Sequence, residues 1–338
     1  MSAVVGTASA AVPSGIGFTQ QGCNNPGGGV LTLPNGSGQF ICPDADYTTG
    51  NLGKNWSELD LVPLRVTVSA SNSAPSSSTF SFAVAVDNTN SGVVGFDVLS
   101  APVLNTSLSA ASCSAATVGS QTTANSQLLR LVTVTVSQNT NCVYDYYARL
   151  AIGAHLYPGS SLHANLADDL TGSTSGIGTK AVSINPKEVA PQSISKDMTA
   201  TQDSDHVWDV TKSPTPASLS FTNTCDPTAP LSQGVSVQVS WTKEAASPSG
   251  DITVVTHVYA TNPSTRTITI NVSDQLYSGL TAIGSPVTSG PIDLDPNTTN
   301  DLVIDNTTTV PSGTAHLNDI ATATYTDKVT GVSIPGTT

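Results

Sequence analysis

Apolar and polar residues alternate with a period of two along much of this chain, from about residue 60 onward. Residues 79–87 place Phe80, Phe82, Val84 and Val86 on one side of the alternation. Alternation of this kind puts successive side chains on opposite faces of a β-strand. Turn residues follow such runs about every 8–12 positions, a spacing typical of sandwich folds. We therefore predict an all-β protein of antiparallel strands.

The strands and turns divide the chain into three parts. Residues 1–60 are rich in Gly, Pro and Asn, and they either belong to the first domain or supply a donor strand. Residues 61–190 and residues 196–338 each predict one β-sandwich, and residues 188–197 predict the linker between them. Each unit is long enough to bury a core of its own. The predicted fold is two consecutive β-sandwich domains behind a turn-rich N-terminal segment.

The composition is acidic and poor in charge. The chain has 24 acidic and 11 basic residues among 338, which gives a net charge of −13. A protein this acidic cannot neutralise phosphates, so we expect no nucleic-acid partner. The chain has no run of about 20 apolar residues, so we expect no membrane insertion.

The five cysteines are not spaced as Cys-x-x-Cys, which disfavours a zinc ribbon or a thioredoxin-like motif. Cys23 and Cys42 flank a Gly- and Asn-rich stretch that predicts a hairpin, and Cys113 and Cys142 end two apolar segments joined by a polar loop. We predict one disulfide within each pair. Disulfides indicate an oxidising compartment outside the cytoplasm. Cys225 is left over, either buried and inert or paired outside the chain.

One loop offers a candidate metal site. Asp293, Asp295, Asn297 and Asp301 lie close together in the sequence, and their oxygens suit Ca²⁺. The loop lacks the central Gly and the distal Glu of an EF-hand, so the alternative is an ordinary acidic turn. Calcium is the one cofactor that we consider.

One dense aromatic cluster comprises Tyr144, Tyr146 and Tyr147. A tyrosine on the outer face of a sheet can stack on a sugar ring or on another protein. Alternation predicts Tyr144 and Tyr146 on one face and Tyr147 on the other, so the alternative is that the inner residues anchor the core. No His-Glu-x-x-His or Gly-x-Ser-x-Gly motif occurs, and we predict no enzyme activity.

Three motifs follow one another in the second half. Residues 250–264 form a strand that ends in Thr-Asn-Pro, and residues 267–274 alternate and end in Asp. Residues 317–327 run Leu-Asn-Asp-Ile-Ala-Thr-Ala-Thr-Tyr-Thr-Asp. This order resembles the immunoglobulin-like repeats of large bacterial cell-surface proteins, over residues 196–338 only. The resemblance implies an immunoglobulin-like fold and an extracellular role at the cell surface as a stalk, adhesin or filament.

Taken together, these features predict a non-enzymatic extracellular structural or adhesive protein of the bacterial surface. Lysine, which normally protects sheet edges, is scarce, so we hypothesise self-assembly into filaments by strand exchange, with residues 1–20 as the donor. Val4, Val5, Ile16 and Phe18 would supply its apolar groups. The expected partners are other copies of the chain or other cell-surface components. The alternative is a carbohydrate-binding surface module that binds glycans through the three tyrosines, with or without calcium.

Overall fold

The computed structural model describes residues 11–28, 42–221, 225–228, 230 and 232–337. Its regular structure is almost entirely β, and the helices in these residues are two single 3₁₀ turns, Asp44–Asp46 and Ala154–Leu156. The strands pair antiparallel. The prediction of an all-β protein is confirmed.

The first unit (residues 11–190) contains the strands that alternation predicts, together with several short ones. In chain order these are β1 (Ile16–Cys23), β2 (Tyr47–Thr48), β3 (Leu61–Ala70), β4 (Ser77–Asp87), β5 (Thr89–Asn90), β6 (Val93–Val94), β7 (Phe96–Leu99), β8 (Val103–Leu104), β9 (Thr117–Val118), β10 (Thr122–Ala124), β11 (Gln127–Ser137), β12 (Thr140–Leu150), β13 (Leu162–Ala167) and β14 (Ala181–Ile184).

Two sheets of the first unit share one core. One sheet has the order β2-β1-β3-β12-β7 with β8 added to β12, and the other has the order β10-β11-β4-β13-β14 with β9 added to β11. Phe80, Phe82 and Val84 of β4 are buried in this core, as the alternation requires. The unit is therefore consistent with a β-sandwich.

Strand β1 belongs to the first unit. Its residues Ile16 to Gly22 pair with β3, and the ring of Phe18 packs edge-on against Phe80 and Phe82 with centroids 6.0 and 5.1 Å apart. The hypothesis that residues 1–20 form an unpartnered donor is therefore wrong for residues 16–20. Residues 1–10, with Val4 and Val5, lie outside the described residues.

The second unit (residues 193–337) contains longer strands. In chain order these are β15 (Ser193–Asp205), β16 (Trp208–Thr215), β17 (Ser236–Lys243), β18 (Ser247–Asn262), β19 (Ile268–Ser278), β20 (Thr281–Ala282), β21 (Val287–Leu294), β22 (Thr298–Val310) and β23 (Leu317–Asp327). Because β15 begins at Ser193, the last part of the predicted linker, residues 193–197, is strand.

Strands of the second unit form two sheets and a separate ribbon. One sheet has the order β15-β18-β22, and the other joins β20, β21 and β23 to β19. Val258 and Ala260 of the first sheet share a core with Ile268, Ile270 and Tyr325 of the second. Strands β16 and β17 pair with each other and form a two-stranded ribbon.

Candidate interaction surface

The ribbon of β16 and β17 is amphipathic. Its register places Trp208 opposite Lys243, Val210 opposite Trp241 and Lys212 opposite Val239. Directly opposed residues share a face, and residues two apart along a strand do so as well. One face of the ribbon, here called the ribbon face, therefore carries Trp208, Val210, Lys212, Pro214, Val237, Val239, Trp241 and Lys243. The opposite face carries Asp209, Thr211, Ser213, Thr215, Ser236, Gln238, Ser240 and Thr242.

No part of the described chain covers the ribbon face. Every residue of β16 and β17 is exposed, and Trp208 and Trp241 keep 59% and 70% of their surface accessible. The Lys243 ammonium lies 5.7 Å from the centre of the Trp208 ring, within cation–π range. An isolated two-stranded ribbon is marginally stable in water. An exposed apolar patch of this kind is a candidate interaction site.

A second exposed surface lies on the sheet β15-β18-β22. Asp197, His257 and Asp305 stand side by side in its register. His257 Nδ1 is 2.9 Å from Asp197 Oδ1, and His257 Nε2 is 3.5 Å from Asp305 Oδ1. The hydrogen bond to Asp197 is the main cause that raises the pKa of His257. We call these three residues the acidic row.

Apolar groups adjoin the acidic row. The Tyr259 ring lies 6.3 Å from the His257 ring, and Tyr259 is paired with Leu302, which is half exposed. This sheet therefore presents acidic and apolar groups side by side. The ribbon face presents basic and apolar groups in a similar mixture.

Two of the three candidate glycan-binding tyrosines are core residues. Tyr144 and Tyr146 are fully buried. The Tyr144 hydroxyl donates to the Ser114 carbonyl at 3.1 Å, and Gln20 Nε2 donates to the Tyr146 hydroxyl at 2.7 Å. Burial raises the pKa of Tyr144 to about 12. These two rings cannot stack on a sugar, so the ligand prediction is wrong for them. Tyr147, which points to the opposite face, is partly exposed.

The candidate calcium residues lie in and around the turn between β21 and β22. The Asp293 carboxylate is bound by Lys328 Nζ at 2.9 Å and by Thr269 Oγ1 at 2.7 Å, and these two groups lower its pKa. Within the described ranges, no three Asp, Glu, His or Cys side chains lie close enough together to hold a metal ion. Asp293, Asp295 and Asp301 therefore form no such group, and Asn297 lies in the turn between β21 and β22.

Both predicted disulfides are present. Cys23 is bonded to Cys42, and Cys113 is bonded to Cys142. Cys225 belongs to neither bond and is exposed in the segment that connects β16 to β17. Two disulfides indicate a compartment other than the reducing cytoplasm. No helix among the described residues is long and apolar enough to cross a membrane.

Sequence reasoning found the ribbon strands but not their role. The strict alternation of residues 235–241 predicts a strand with one face in a core, whereas in the structure both faces of β17 are exposed. The signal that could have identified the ribbon is the mixing of Trp with Lys on one face, at Trp208, Lys212, Trp241 and Lys243. A buried sheet face rarely contains lysine.

Comparison with known proteins identifies no family. No protein-family model matches the chain, and no curated protein matches it.

Proposed function

We propose that this chain is a non-enzymatic extracellular structural protein that assembles head to tail, the ribbon face of one copy binding the acidic row of the next. The observation that carries the proposal is the amphipathic ribbon, whose apolar face is uncovered. The two disulfides support an oxidising location, and the all-β architecture suits a load-bearing protein.

Charge complementarity favours a second copy of the chain as the partner that covers the ribbon face. The ribbon face carries two lysines and no acid, although the chain as a whole has 24 acidic and only 11 basic residues. The acidic row offers the exposed carboxylates of Asp197 and Asp305. Lys212 and Lys243 can lay their methylene stems along the apolar face and extend their ammonium groups to these carboxylates.

The ribbon face is large enough to carry a specific contact. A buried Trp contributes about 150–250 Å² of surface, and a stable interface needs about 800 Å² on each partner. Since 59% and 70% of their surfaces are accessible, Trp208 and Trp241 supply about 190–320 Å², at most about two fifths of that area. Val210, Val237 and Val239 lie beside them and add apolar surface.

The same complementarity favours an open-ended assembly of many copies over a closed dimer. Two ribbon faces packed on each other would place basic groups against basic groups, which costs energy on desolvation. A contact between two different surfaces is heterologous, and unless its rotation closes a ring it continues into a filament.

The test measures assembly of the full chain across concentration by light scattering and negative-stain electron microscopy. We expect fibres or concentration-dependent oligomers for the wild type. Trp241→Ser removes the ribbon anchor and Asp305→Lys reverses a charge in the acidic row, so each variant alone should stay monomeric. Leu280→Ser changes a 99% exposed apolar side chain elsewhere and should assemble normally.

Mixing the two variants distinguishes a heterologous contact from any other. Trp241→Ser retains the acidic row and Asp305→Lys retains the ribbon face, so an equimolar mixture should form dimers that cannot grow. A wild type that stays monomeric at every concentration would contradict the proposal. A monomeric wild type that binds a glycan array through Trp241 would instead support the carbohydrate-binding alternative.

A further inference from the structure

A polar cavity of about 200 Å³ lies in the first unit, where β12 ends and β13 begins. Lys54 lines it from the loop between β2 and β3, and His155 and Tyr157 line it from the turn between β12 and β13. Ser160 and Ser161, just before β13, complete its polar wall. Among the described residues that line the cavity, none is Asp or Glu.

This lining contrasts with the composition of the chain, which has 24 acidic and 11 basic residues. Lys54 is an exposed residue, and none of the ion pairs among the described residues involves it. An ammonium group at the wall of a cavity without carboxylates attracts a negatively charged ligand. The cavity therefore favours an anion.

The ring of His155 is held by a carboxylate behind the wall of the cavity. His155 Nδ1 is 2.6 Å from Glu58 Oε1, and the backbone N–H of His155 donates to the same oxygen at 3.2 Å. Only 3% of the Glu58 side chain is exposed, against 27% of the His155 side chain. Since Nδ1 is occupied, Nε2 is the ring nitrogen that remains for a ligand, as it is in histidines oriented by a carboxylate.

A second carboxylate acts on the cavity through Ser161. The Ser161 hydroxyl oxygen is 3.3 Å from His163 Nε2, and His163 Nδ1 is 3.1 Å from Asp87 Oδ2. A hydroxyl group has one donor and two acceptor positions, so Ser161 can bind His163 and a ligand at the same time. Ser161 is thus a polar group whose position is fixed before a ligand arrives.

Tyr157 adds an aromatic surface to the cavity. Its ring packs against the core of the first unit, and the residue stays partly exposed. Gly95, between β6 and β7, leaves room for this ring, because a Cβ at that position would collide with Leu162 and lie 3.1 Å from Tyr157 Cδ2. An aromatic ring beside polar groups is the combination that binds a sugar, which has both hydroxyl groups and an apolar ring face.

The loop that carries Lys54 is fixed to β14. The N–H of Leu52 donates to the Ser183 carbonyl at 2.8 Å, and the N–H of Asn185 donates to the Gly53 carbonyl at 3.1 Å. These two hydrogen bonds hold the chain just before Lys54 against a strand of the sandwich. A wall that is already in place loses little conformational freedom on binding, which favours affinity.

We propose that this cavity binds the terminal residue of a glycan, an acidic sugar of the uronic or sialic acid class. The Lys54 ammonium and the Ser161 hydroxyl bind the sugar carboxylate, and His155 Nε2 binds a sugar hydroxyl. The Tyr157 ring packs on the apolar face of the pyranose. Sites for drug-sized ligands occupy about 300–1,000 Å³, so a cavity of about 200 Å³ takes a single sugar residue.

The cavity belongs to the first unit, outside residues 196–338 and their resemblance to surface repeats. The inference goes beyond the proposed assembly and does not depend on the ribbon face or the acidic row. If the chain assembles, each copy carries one such cavity, and many weak sites on one fibre bind a glycan-coated surface together with high avidity.

Calorimetric titration and ligand-observed NMR of the full chain test the proposal. The probes are methyl β-glucuronide, the methyl glycoside of N-acetylneuraminic acid, and uncharged methyl β-glucoside. We expect an acidic probe to bind with a Kd of about 1 mM, the range open to a ligand of about a dozen heavy atoms. The glucoside should bind at least about tenfold more weakly, because it lacks the carboxylate. The acidic probe that binds more tightly identifies the source.

Variants assign the contacts. Lys54→Ala should weaken the acidic probe about ten- to hundredfold and leave the glucoside unaffected. Lys180→Ala removes the same charge from the same unit outside the cavity and should bind like the wild type. Tyr157→Ala should weaken all probes, whereas Tyr157→Phe keeps the ring and should bind normally. Circular dichroism and thermal melting of each variant establish that it is folded.

Three outcomes would overturn the proposal. The first is that neither acidic probe binds at tens of millimolar, and the second is that Lys54→Ala binds the acidic probe as tightly as the wild type. The third is that sodium acetate displaces the glucuronide at equal concentration, which would mean that the cavity recognises a carboxylate without the sugar. Light scattering measures assembly separately, so this proposal and the head-to-tail contact can fail independently.

Discussion

The guanidinium of Arg266 binds the carboxylate of Asp60 across the boundary between the two units. Asp60 immediately precedes β3 of the first unit, and Arg266 lies in the turn between β18 and β19. Arg266 also makes a two-point contact with Asp327, at 2.7 and 3.1 Å. Leu59, the residue before Asp60, is buried in the core of the second unit. A buried cation between two carboxylates therefore joins the units, with one positive charge for two negative ones.

The burial of Asp60 at this junction predicts a pH dependence of stability. Burial raises the pKa of Asp60 from 3.8 to about 6, against the opposing effect of Arg266. A carboxyl group whose pKa is higher in the folded state contributes stability that is fully present below pH 3.8 and is lost as pH rises through about 6. We expect the Asp60 contribution to the free energy of unfolding to fall by up to about 3 kcal/mol across this window.

Denaturant unfolding at several pH values checks this dependence. Asp60→Asn should remove the decline between about pH 4 and pH 6. Asp327 acts in the opposite direction: although burial raises its pKa, the hydrogen bonds from Arg266 and Thr330 lower it overall. Its contribution is therefore lost at more acid pH. An Asp60→Asn variant with the same pH profile as the wild type would show that Asp60 is not the group responsible.

Replacing Phe18 tests whether β1 is an integral part of the first unit. Its ring packs against Phe80 and Phe82, so Phe18→Ala should cost about 3–5 kcal/mol of unfolding free energy. The loss should not depend on protein concentration, because the strand is supplied within the chain. Leu280→Ala, at a 99% exposed position, should change stability by less than about 0.5 kcal/mol. A Phe18→Ala loss that shrinks as concentration rises would point to strand exchange between copies.

The Cys113–Cys142 disulfide spans 29 residues. Its main effect on stability is to restrict the unfolded chain, so replacing both cysteines by alanine should lower the unfolding free energy by about 3 kcal/mol. Reducing agent should destabilise the wild type more than this variant. Cys225→Ala, which breaks neither disulfide, should shift the unfolding midpoint far less than the double variant.

We predict that the proposed head-to-tail assembly through the acidic row weakens on acidification. The pKa of His257 is raised, mainly by its hydrogen bond to Asp197, and protonation of the ring reduces the net negative charge of the row. Lys212 and Lys243 of the next copy would then be attracted less strongly. Light scattering between about pH 8 and pH 5 should show dissociation, and added salt should act in the same direction. His257→Gln should flatten the pH profile, and an unchanged profile would exclude His257 as its origin.

Local patterns predicted the strands and both disulfides. Phe80, Phe82 and Val84 alternate with smaller residues and are buried as expected, because the two-residue period of a strand depends only on the backbone. The pairing of Cys23 with Cys42 and of Cys113 with Cys142 was accessible for a similar reason, since the first pair flanks a turn-rich stretch and the second ends two apolar segments joined by a polar loop. These features are decided within about 10–30 residues of chain.

Tertiary packing determined which strand faces are buried and which residues from distant parts of the chain are in contact. Alternation showed that Tyr144 and Trp241 each lie on one face of a strand, but only the stacking of sheets buries the first and leaves the second exposed. Lys196 and Asp274 are 78 residues apart, and no local spacing brings them together. Their contact exists because β15 and β19 lie in opposite sheets across a shared core. The sequence thus determined the strands and disulfides of this protein, while the packing of one sheet face against another determined its exposed surfaces and its buried ion pairs.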